Sequence, residues 1–448
     1  MLSRFAARLA DWAQRWVPDP FVIALGLTAL TFALGWLNMP EPSARVLAAG
    51  WFGRFAATDT LAFTAQMALI LVAGSTLARA PLVRGLLGRL AARPRTTAAA
   101  AALTAAVAML ASILNWGFGL IVGAVLAREI GARFSAEGRK LDYPLVAAAG
   151  FMGLLVWHGG LSGSAPLKVA ENGPLGVPVP LDQTLFSPLN FVMEGALLLA
   201  VPWLFTRIAS TQHEKLWPVT PLEAVRDEDA REGGGARLAG VLLVALVVVL
   251  ALLALDGAFE QAGALRGLSI GTVVLVLVVA GLVLFRSPQR YVRAFGASVD
   301  EAAGILLQFP FYFGILGLLE AGGMVQRLAG DTAGMALGLH GLGLPLAFGF
   351  DLVTWVSSAI VNVFVPSGGG QWAVQGGIVA HAAQELGVPT GRAVMDLAYG
   401  DQWGNMLQPF WALPLLGITG LKARDILGYS LAIMLLSAPL FMLALAIL

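Results

Sequence analysis

The feature that most constrains this chain is a series of long apolar runs almost free of charge. Residues 21–38, 60–78, 190–206, 238–256, 268–285, 303–320 and 427–447 each have the length and composition of a membrane-crossing helix, which needs about 20 mostly apolar residues. Two more stretches, 144–165 and 394–420, are apolar but interrupted by polar, glycine-rich segments. Only 12% of the 448 residues are charged and 58% are hydrophobic, with a mean hydropathy of +0.79. A soluble domain carries roughly 25% charged residues, so water cannot solvate this exterior. Lipid must do so, and the expected fold class is an all-α polytopic membrane protein.

The same composition excludes several functions. A net charge of +1 provides no basic surface for nucleic acid. Cysteine is absent, which removes disulfides, thiolate metal sites and cysteine nucleophiles. No phosphate-binding P-loop motif occurs, which argues against ATP-driven pumping by this chain. Residues 1–20 form an amphipathic Arg/Trp stretch, read as a cytoplasmic interfacial helix rather than a cleaved signal.

Basic residues set the topology, because Lys and Arg accumulate in cytoplasmic loops. All but six of the 28 fall in 1–20, 79–95, 128–142, 207–237, 286–302 and 421–426; the exceptions are Arg45, Arg54, Lys168, Arg266, Arg327 and Arg392. The N-terminus is therefore expected in the cytoplasm. The loops 79–95 and 128–142 are both basic and should share a side, yet only 96–127 separates them. Thirty-two residues are too few for two spans of about 20. The segment 96–127 is thus expected to be a re-entrant hairpin turning near Asn115, Trp116 and Gly117. A second hairpin is expected over 340–380, with its tip in VNVFVPSGGGQW (362–372), entering from the opposite face. Each hairpin is followed by an interrupted helix. The first break falls in His158–Pro166 within 144–165, the second in Gly400–Asn405 within 394–420. Two repeats of inverted topology follow, 21–206 and 268–448, joined by a cytoplasmic linker and connecting span at 207–267. Broken helices that meet near the midplane are a secondary-transporter architecture.

These interruptions carry the candidate binding residues. Ser367, Gly368, Gly369, Gly370 and Gln371 open the second arm of hairpin two, where free N–H groups and the helix dipole suit a carboxylate. Asn115 could ligate a cation or donate to a carboxylate, or only cap the re-entrant helix. Ser162, Gly163 and Ser164 could form a cation site or merely repair the broken backbone. Asp401 could carry the coupling ion, with Gln402 and Asn405 completing the polar lining; alternatively, Asp401 caps the following half-helix. Trp116, Trp372 and Trp403 lie beside the breaks and could wall a substrate tail or serve packing. His158 ranks lower, as a lone histidine. Asp351 and Asp396 are expected to cap helices, and Lys168 to snorkel outward. With no Lys or Arg at either tip, a small monoanion is favoured over a polyanion.

At NWGFGLIVGA (115–124), GLSGSAP (160–166), VPSGGGQWAVQG (365–376) and GDQWGNMLQPFWALP (400–414) the sequence closely resembles the short-chain fatty acid transporter family, to which the bacterial acetoacetate/butyrate permeases belong. The resemblance runs from WVPDPF (16–21) to the end of the chain. It implies uptake of short-chain monocarboxylates at a bacterial inner membrane. Through the wider ion transporter superfamily it also implies a homodimer, a scaffold part and a mobile part that moves as an elevator. The sodium-coupled dicarboxylate carriers of that superfamily have Ser-Asn-Thr hairpin signatures. The tips here read Leu114-Asn115-Trp116-Gly117 and Pro366-Ser367-Gly368-Gly369-Gly370, so the coupling ion is left as H⁺ or Na⁺, the latter near Asn115 and Asp401. The alternatives are a cation/proton antiporter on the same scaffold and an intramembrane enzyme. The enzyme lacks support, since no nucleophile–base or metal motif occurs and the four histidines are isolated.

Overall fold

Where lipid replaces water, every backbone N–H and C=O must find a partner inside the protein, and the helix is the local solution. The computed structural model describes residues 2–16, 20–171, 177–221, 234–262, 270–365 and 368–447. Within them the chain is helical, apart from turns and an isolated antiparallel bridge between Leu141 and Lys215. The first helices are α1 (Leu2–Trp16), α2 (Pro20–Asn38), α3 (Ala44–Phe55), α4 (Thr58–Ala78) and α5 (Pro81–Ala91). The pair α6 (Thr97–Leu114) and α7 (Trp116–Ala136) precedes α8 (Tyr143–Phe151), α9 (Ser164–Glu171) and α10 (Pro188–Ile208). After α11 (Gly234–Ala262) come α12 (Ile270–Phe285), α13 (Pro288–Gly296), α14 (Ala303–Ala321) and α15 (Met324–Gly341). The chain closes with α16 (Leu346–Phe364), α17 (Gly368–Gln371), α18 (Gly377–Glu385), α19 (Thr390–Gly404), α20 (Pro409–Thr419) and α21 (Ala423–Ile447).

Among the described residues eight helices are long and apolar enough to cross a membrane. The chain is a multi-pass membrane protein. The most apolar of these windows, Gly240–Gly257 in α11, is only 11% buried. Its leucines and valines face outward all round, as a helix surrounded by lipid requires.

Most expected spans become helices within a few residues of their anticipated ends, but three differences are informative. Hairpin one uses Thr97–Ala136 rather than 96–127, because the basic segment after residue 127 continues the helix instead of starting a loop. Each arm is then long enough to cross by length alone. The uncharged part of α7, 116–127, is nevertheless only about 18 Å long at 1.5 Å per residue. Hairpin two starts at Leu346, later than 340, and its second arm runs to Glu385. The second break lies at Asn405–Gln408, since Gly400–Gly404 completes the last turn of α19. The short helices α3, α5 and α13 and the longer α15 were not anticipated. With them, one succession of elements occurs twice: span, short helix, span, linking helix, helical pair, interrupted helix, span. It runs from α2 to α10 and again from α12 to α21.

The α3–α14 contact shows how closely these helices pack. A Cβ on Gly317 would sit 2.1 Å from the Gly50 carbonyl oxygen, and small residues at such crossings let backbones meet. Gly53, on the same helix as Gly50, has nothing within 4 Å of its Cβ position. Gly317→Leu is expected to destabilise the protein by about 1–3 kcal/mol through overpacking. Gly53→Ala is expected to be neutral or stabilising by up to about 1 kcal/mol. Thermal unfolding of the two variants in detergent tests this; equal effects would contradict the contact.

Candidate functional site

A network of buried polar side chains converges on the interruption between α8 and α9. After Phe151 the helix tightens into a 3₁₀ turn at Met152–Leu155 and leaves helical geometry until Ser164. Unwinding frees backbone groups that lipid cannot satisfy, so the protein must. Hairpin one supplies part of the answer. Leu161 N–H donates to the Ile113 carbonyl (2.7 Å), and Ser162 Oγ accepts from Trp116 N–H (3.0 Å). Gln402 Oε1 on α19 accepts from the N–H groups of His158 (3.2 Å) and Gly159 (3.3 Å). Asn190 Nδ2 on α10 donates to Gly159 O at 2.8 Å.

Hairpin one is an antiparallel pair whose tip is a single extended residue, Asn115. Its Oδ1 accepts from Gly117 N–H (3.0 Å) and Phe118 N–H (3.2 Å). The first amides of α7 are thus capped from within, the arrangement an asparagine favours at a helix start. Trp116 stands edge-on to Trp157 and to Trp411, with centroids 6.1 and 4.9 Å apart. Gly117 packs against Ile70, and Gly163 turns back to donate to Gly160 O.

Hairpin two approaches from the other side. Ser367 and Pro366 lie outside the described residues. Gly368, the first residue of α17, lies directly on the break: a Cβ there would be 2.6 Å from His158 Cε1 and 2.8 Å from Ser164 Oγ. Gly369 approaches Ser164 more loosely, and Gly370 follows in the same turn. Gln371 Nε2 donates to Ser358 O (2.8 Å) and Gln375 Oε1 (3.2 Å), tying the two arms of the hairpin together. Trp372–Gly376 is wound as a π-helix, a form that recurs at functional sites. Trp372 packs among Ala165, Val169 and Val394.

Asp401 joins the halves. It lies in the last turn of α19 rather than at the start of α20, so it is not a cap of the following half-helix. Its carboxylate is fully buried and accepts from Asn362 Nδ2 (2.6 Å) on α16 and from the His158 ring Nδ1 (2.7 Å). The other ring nitrogen, Nε2, accepts from Ala165 N–H at 3.1 Å, at the start of α9. That bond fixes neutral His158 as the Nδ1–H tautomer. Trp157 stacks on the ring at 4.3 Å. Asn362 Nδ2 also reaches Asn405 Oδ1 (3.1 Å), and Gln408 Nε2 donates to Asn362 O. Gln402 Nε2 donates to Glu194 Oε1 (3.1 Å). Trp403 turns away, its indole N–H used by Met434 O at 2.8 Å. Asp351 does not cap a helix: it is held by Arg392 at 2.5 Å within α16. Lys168 is exposed on α9. Among the described residues no group of three or more His, Asp or Glu side chains is arranged to hold a metal ion.

The family described as "Short chain fatty acid transporter" matches residues 1–448 of this sequence. The chain belongs to the short-chain fatty acid transporter family. Two relatives match over essentially their whole length, both carrying provisional names as short-chain fatty acid transporters. The Escherichia coli (strain K12) protein is 36% identical over 462 aligned residues, covering 100% of each chain. That of Haemophilus influenzae (strain ATCC 51907 / DSM 11121 / KW20 / Rd) is 34% identical over 467, covering 99% of each.

Within this transporter, sequence reasoning missed four residues of the polar centre and ranked a fifth too low. Glu194 is an acid inside an otherwise apolar span, and that signal alone should have singled it out. Asn190 and Asn362 were masked as ordinary polar residues near helix ends, and Gln408 as part of a long motif. His158 was set aside because no partner lies near it in sequence; its partner, Asp401, is 243 residues away. The tautomer assignment is testable. In ¹⁵N-histidine NMR, the resonances removed by His158→Gln are expected to show a neutral ring protonated at Nδ1. An Nε2–H tautomer would contradict the Ala165 contact.

Proposed function

We propose that this protein is a secondary transporter for short-chain monocarboxylates such as butyrate or acetoacetate. It works by alternating access at a bacterial inner membrane, with its N-terminus in the cytoplasm and a proton as the coupling ion. The names of both relatives support the substrate class. The chemistry of the converging tips supports it independently. A monocarboxylate needs donors and a small apolar wall. The start of α17 offers backbone N–H groups beside Gly368–Gln371, with Ser367 adjoining. Trp157 Nε1 and Asn405 Nδ2 are buried donors without a hydrogen-bond partner among the described residues. The rings of Trp116 and Trp157 meet edge-on beside the break, 6.1 Å apart, and supply an apolar surface there.

The observation that carries proton coupling is the hydrogen-bond inventory around Asp401. Each of its oxygens accepts from one N–H group, so donors from the protein already meet its charge. Two neighbouring amides are only half used: Asn362 Oδ1 and Asn405 Nδ2 have no partner among the described residues. Protonate Asp401, and its O–H needs an acceptor where Asn362 Nδ2 now sits. Rotating both amides by half a turn presents Asn362 Oδ1 to that O–H. Asn405 Nδ2 then donates to the same oxygen. The side chains therefore serve both protonation states, and each buried polar atom that one state strands is used in the other. His158 remains neutral throughout and reports the state of Asp401 to the start of α9.

We read the recurring element order as two inverted repeats. In this reading α2–α5 with α12–α15 form the scaffold, and α6–α10 with α16–α21 the mobile part of a homodimeric elevator. Both helical pairs are then re-entrant hairpins.

Uptake of labelled butyrate into proteoliposomes, under separate pH and Na⁺ gradients, tests the proposal. A pH gradient, acid outside, is expected to drive accumulation and a Na⁺ gradient is not. Asp401→Asn is expected to abolish accumulation while at most leaving exchange. His158→Gln should lower uptake by about 10- to 100-fold, the value of roughly 1.5–3 kcal/mol for a hydrogen bond to a charged group. Na⁺-driven uptake, or coupled uptake unchanged in Asp401→Asn, would overturn proton coupling. Na⁺/H⁺ exchange without carboxylate would replace the transporter reading by the antiporter.

A further inference from the structure

A second polar cluster lies away from the transport site, where α1 crosses α21. Four elements bring it together: α1 with Asp11, the segment 211–215 with His213, the start of α8 with Asp142, and α21 with Tyr429. Asp11 Oδ1 is 3.2 Å from His213 Nε2. His213 Nδ1 is 2.9 Å from the Tyr429 hydroxyl, which donates to Asp142 Oδ2 at 2.5 Å. Asp142 Oδ1 accepts from Leu145 N–H at 3.2 Å. A cavity of about 190 Å³ opens onto this chain of contacts, lined also by Gln14, Glu214 and Lys215.

Counting protons along the chain gives a definite answer. Tyr429 has one hydroxyl proton, and its bond to Asp142 uses it. The hydroxyl must then accept from His213 Nδ1–H. The far nitrogen, Nε2, faces a carboxylate, which accepts only. It too must carry a proton, so the ring is an imidazolium. Moving one proton through Tyr429 gives the equivalent arrangement: Asp142 protonated, the hydroxyl donating to Nδ1, and Nε2–H still donating to Asp11. Both satisfy every contact with the same number of protons. Remove that proton and no arrangement does: one of the Asp11–His213, His213–Tyr429 and Tyr429–Asp142 contacts becomes lone pair against lone pair, and the Asp11–His213 contact parts at least cost because water reaches the 66% exposed Asp11 side chain.

We propose that Asp142, Tyr429 and His213 form a binding site for one proton, and that this bound proton latches α1 to the body of the protein through Asp11. The latch is closed at low pH and opens as pH rises. Burial pushes the Asp142 carboxyl up to about 6, against the Tyr429 bond that lowers it. Opening is therefore expected between about pH 6 and 7. The other charged groups near the site are Glu214 and Lys215. Glu214 accepts from Thr97 at 2.6 Å, and Lys215 lies over the Trp217 ring at 4.2 Å. Arg139 and Lys140 line a neighbouring cavity instead. Gly428 shows that α1 is seated here closely: a Cβ on it would be 2.4 Å from Ala10 Cα. Loosening of the latch is therefore transmitted to the whole of α1.

The chain contains no cysteine, so a spin-label pair at exposed Arg8→Cys and Arg424→Cys reports the α1–α21 distance in full-length protein in lipid nanodiscs. The expected result is one narrow distance distribution at about pH 5.5 and a broader one at about pH 8.5. Asp11→Asn, a change at a side chain 66% exposed, removes the facing charge without touching the core. It should move the opening to lower pH by roughly 0.2–0.7 unit, as expected for an exposed ion pair. Tyr429→Phe should abolish the pH response. An identical distribution at both pH values in the unmodified sequence, or opening at an unchanged pH in Asp11→Asn, would overturn the proposal. So would ¹⁵N-histidine NMR, assigned by His213→Gln, if His213 has lost a proton at pH 5.5 while Asp142 is ionised.

Discussion

The structure depends on one constraint: a polar backbone cannot be left unpaired inside a membrane. The unwound segment 156–163 breaks that rule locally, and buried polar groups from several elements mend it. Gln402 reaches across to two of its N–H groups, Asn190 to a carbonyl, and the tip of hairpin one to Leu161 and Ser162. Because the partners come from α10, α19 and hairpin one, the repair also fixes where those elements sit. A continuous helix at this position would need none of these contacts and would bring none of these elements together.

That logic separates what was legible in the sequence from what was not. Long apolar runs and basic loops determine helices and their approximate limits through properties local to each run. The hairpins and interruptions were legible because glycine, proline and polar residues inside apolar sequence have few other uses in a membrane. The position of the second break was misplaced by several residues: Gly400 and Gly404 suggested unwinding, but they lie in α19 where it packs closely on α16. A Cβ on Gly400 would be 2.3 Å from Trp355 O. Glycine at a close helix crossing and glycine at a helix break look the same in sequence. Basic residues at 128–136 were read as loop because charge marks the cytoplasmic side, although a helix carries charge beyond the lipid just as well.

Pairings between residues far apart in sequence, 39 to 243 positions here, were not legible at all. Asp401 could be recognised as costly and therefore purposeful, yet nothing local shows that its donors are His158 and Asn362. The same blindness affected Asp351: an acid near a helix start reads as a cap, and only the fold reveals Arg392 as its partner. Isolated ionisable residues in apolar sequence are thus better treated as halves of unseen pairs than ranked by their neighbours.

His158 and His213 each meet a carboxylate, one contact buried and the other partly exposed, and they differ in how each ring is held. At the centre, His158 Nε2 accepts from a backbone N–H, so Nδ1 carries the ring's proton toward Asp401. Near α1, both nitrogens of His213 face oxygen, so the ring itself takes part in holding the proton. A backbone donor that cannot withdraw makes the first histidine a fixed gauge; a carboxylate on an exposed helix that can withdraw makes the second a movable one. The location of a single N–H group, 3.1 Å from the His158 ring, is thus enough to distinguish the two sites in the roles we propose for them: one to load a proton, the other to sense it.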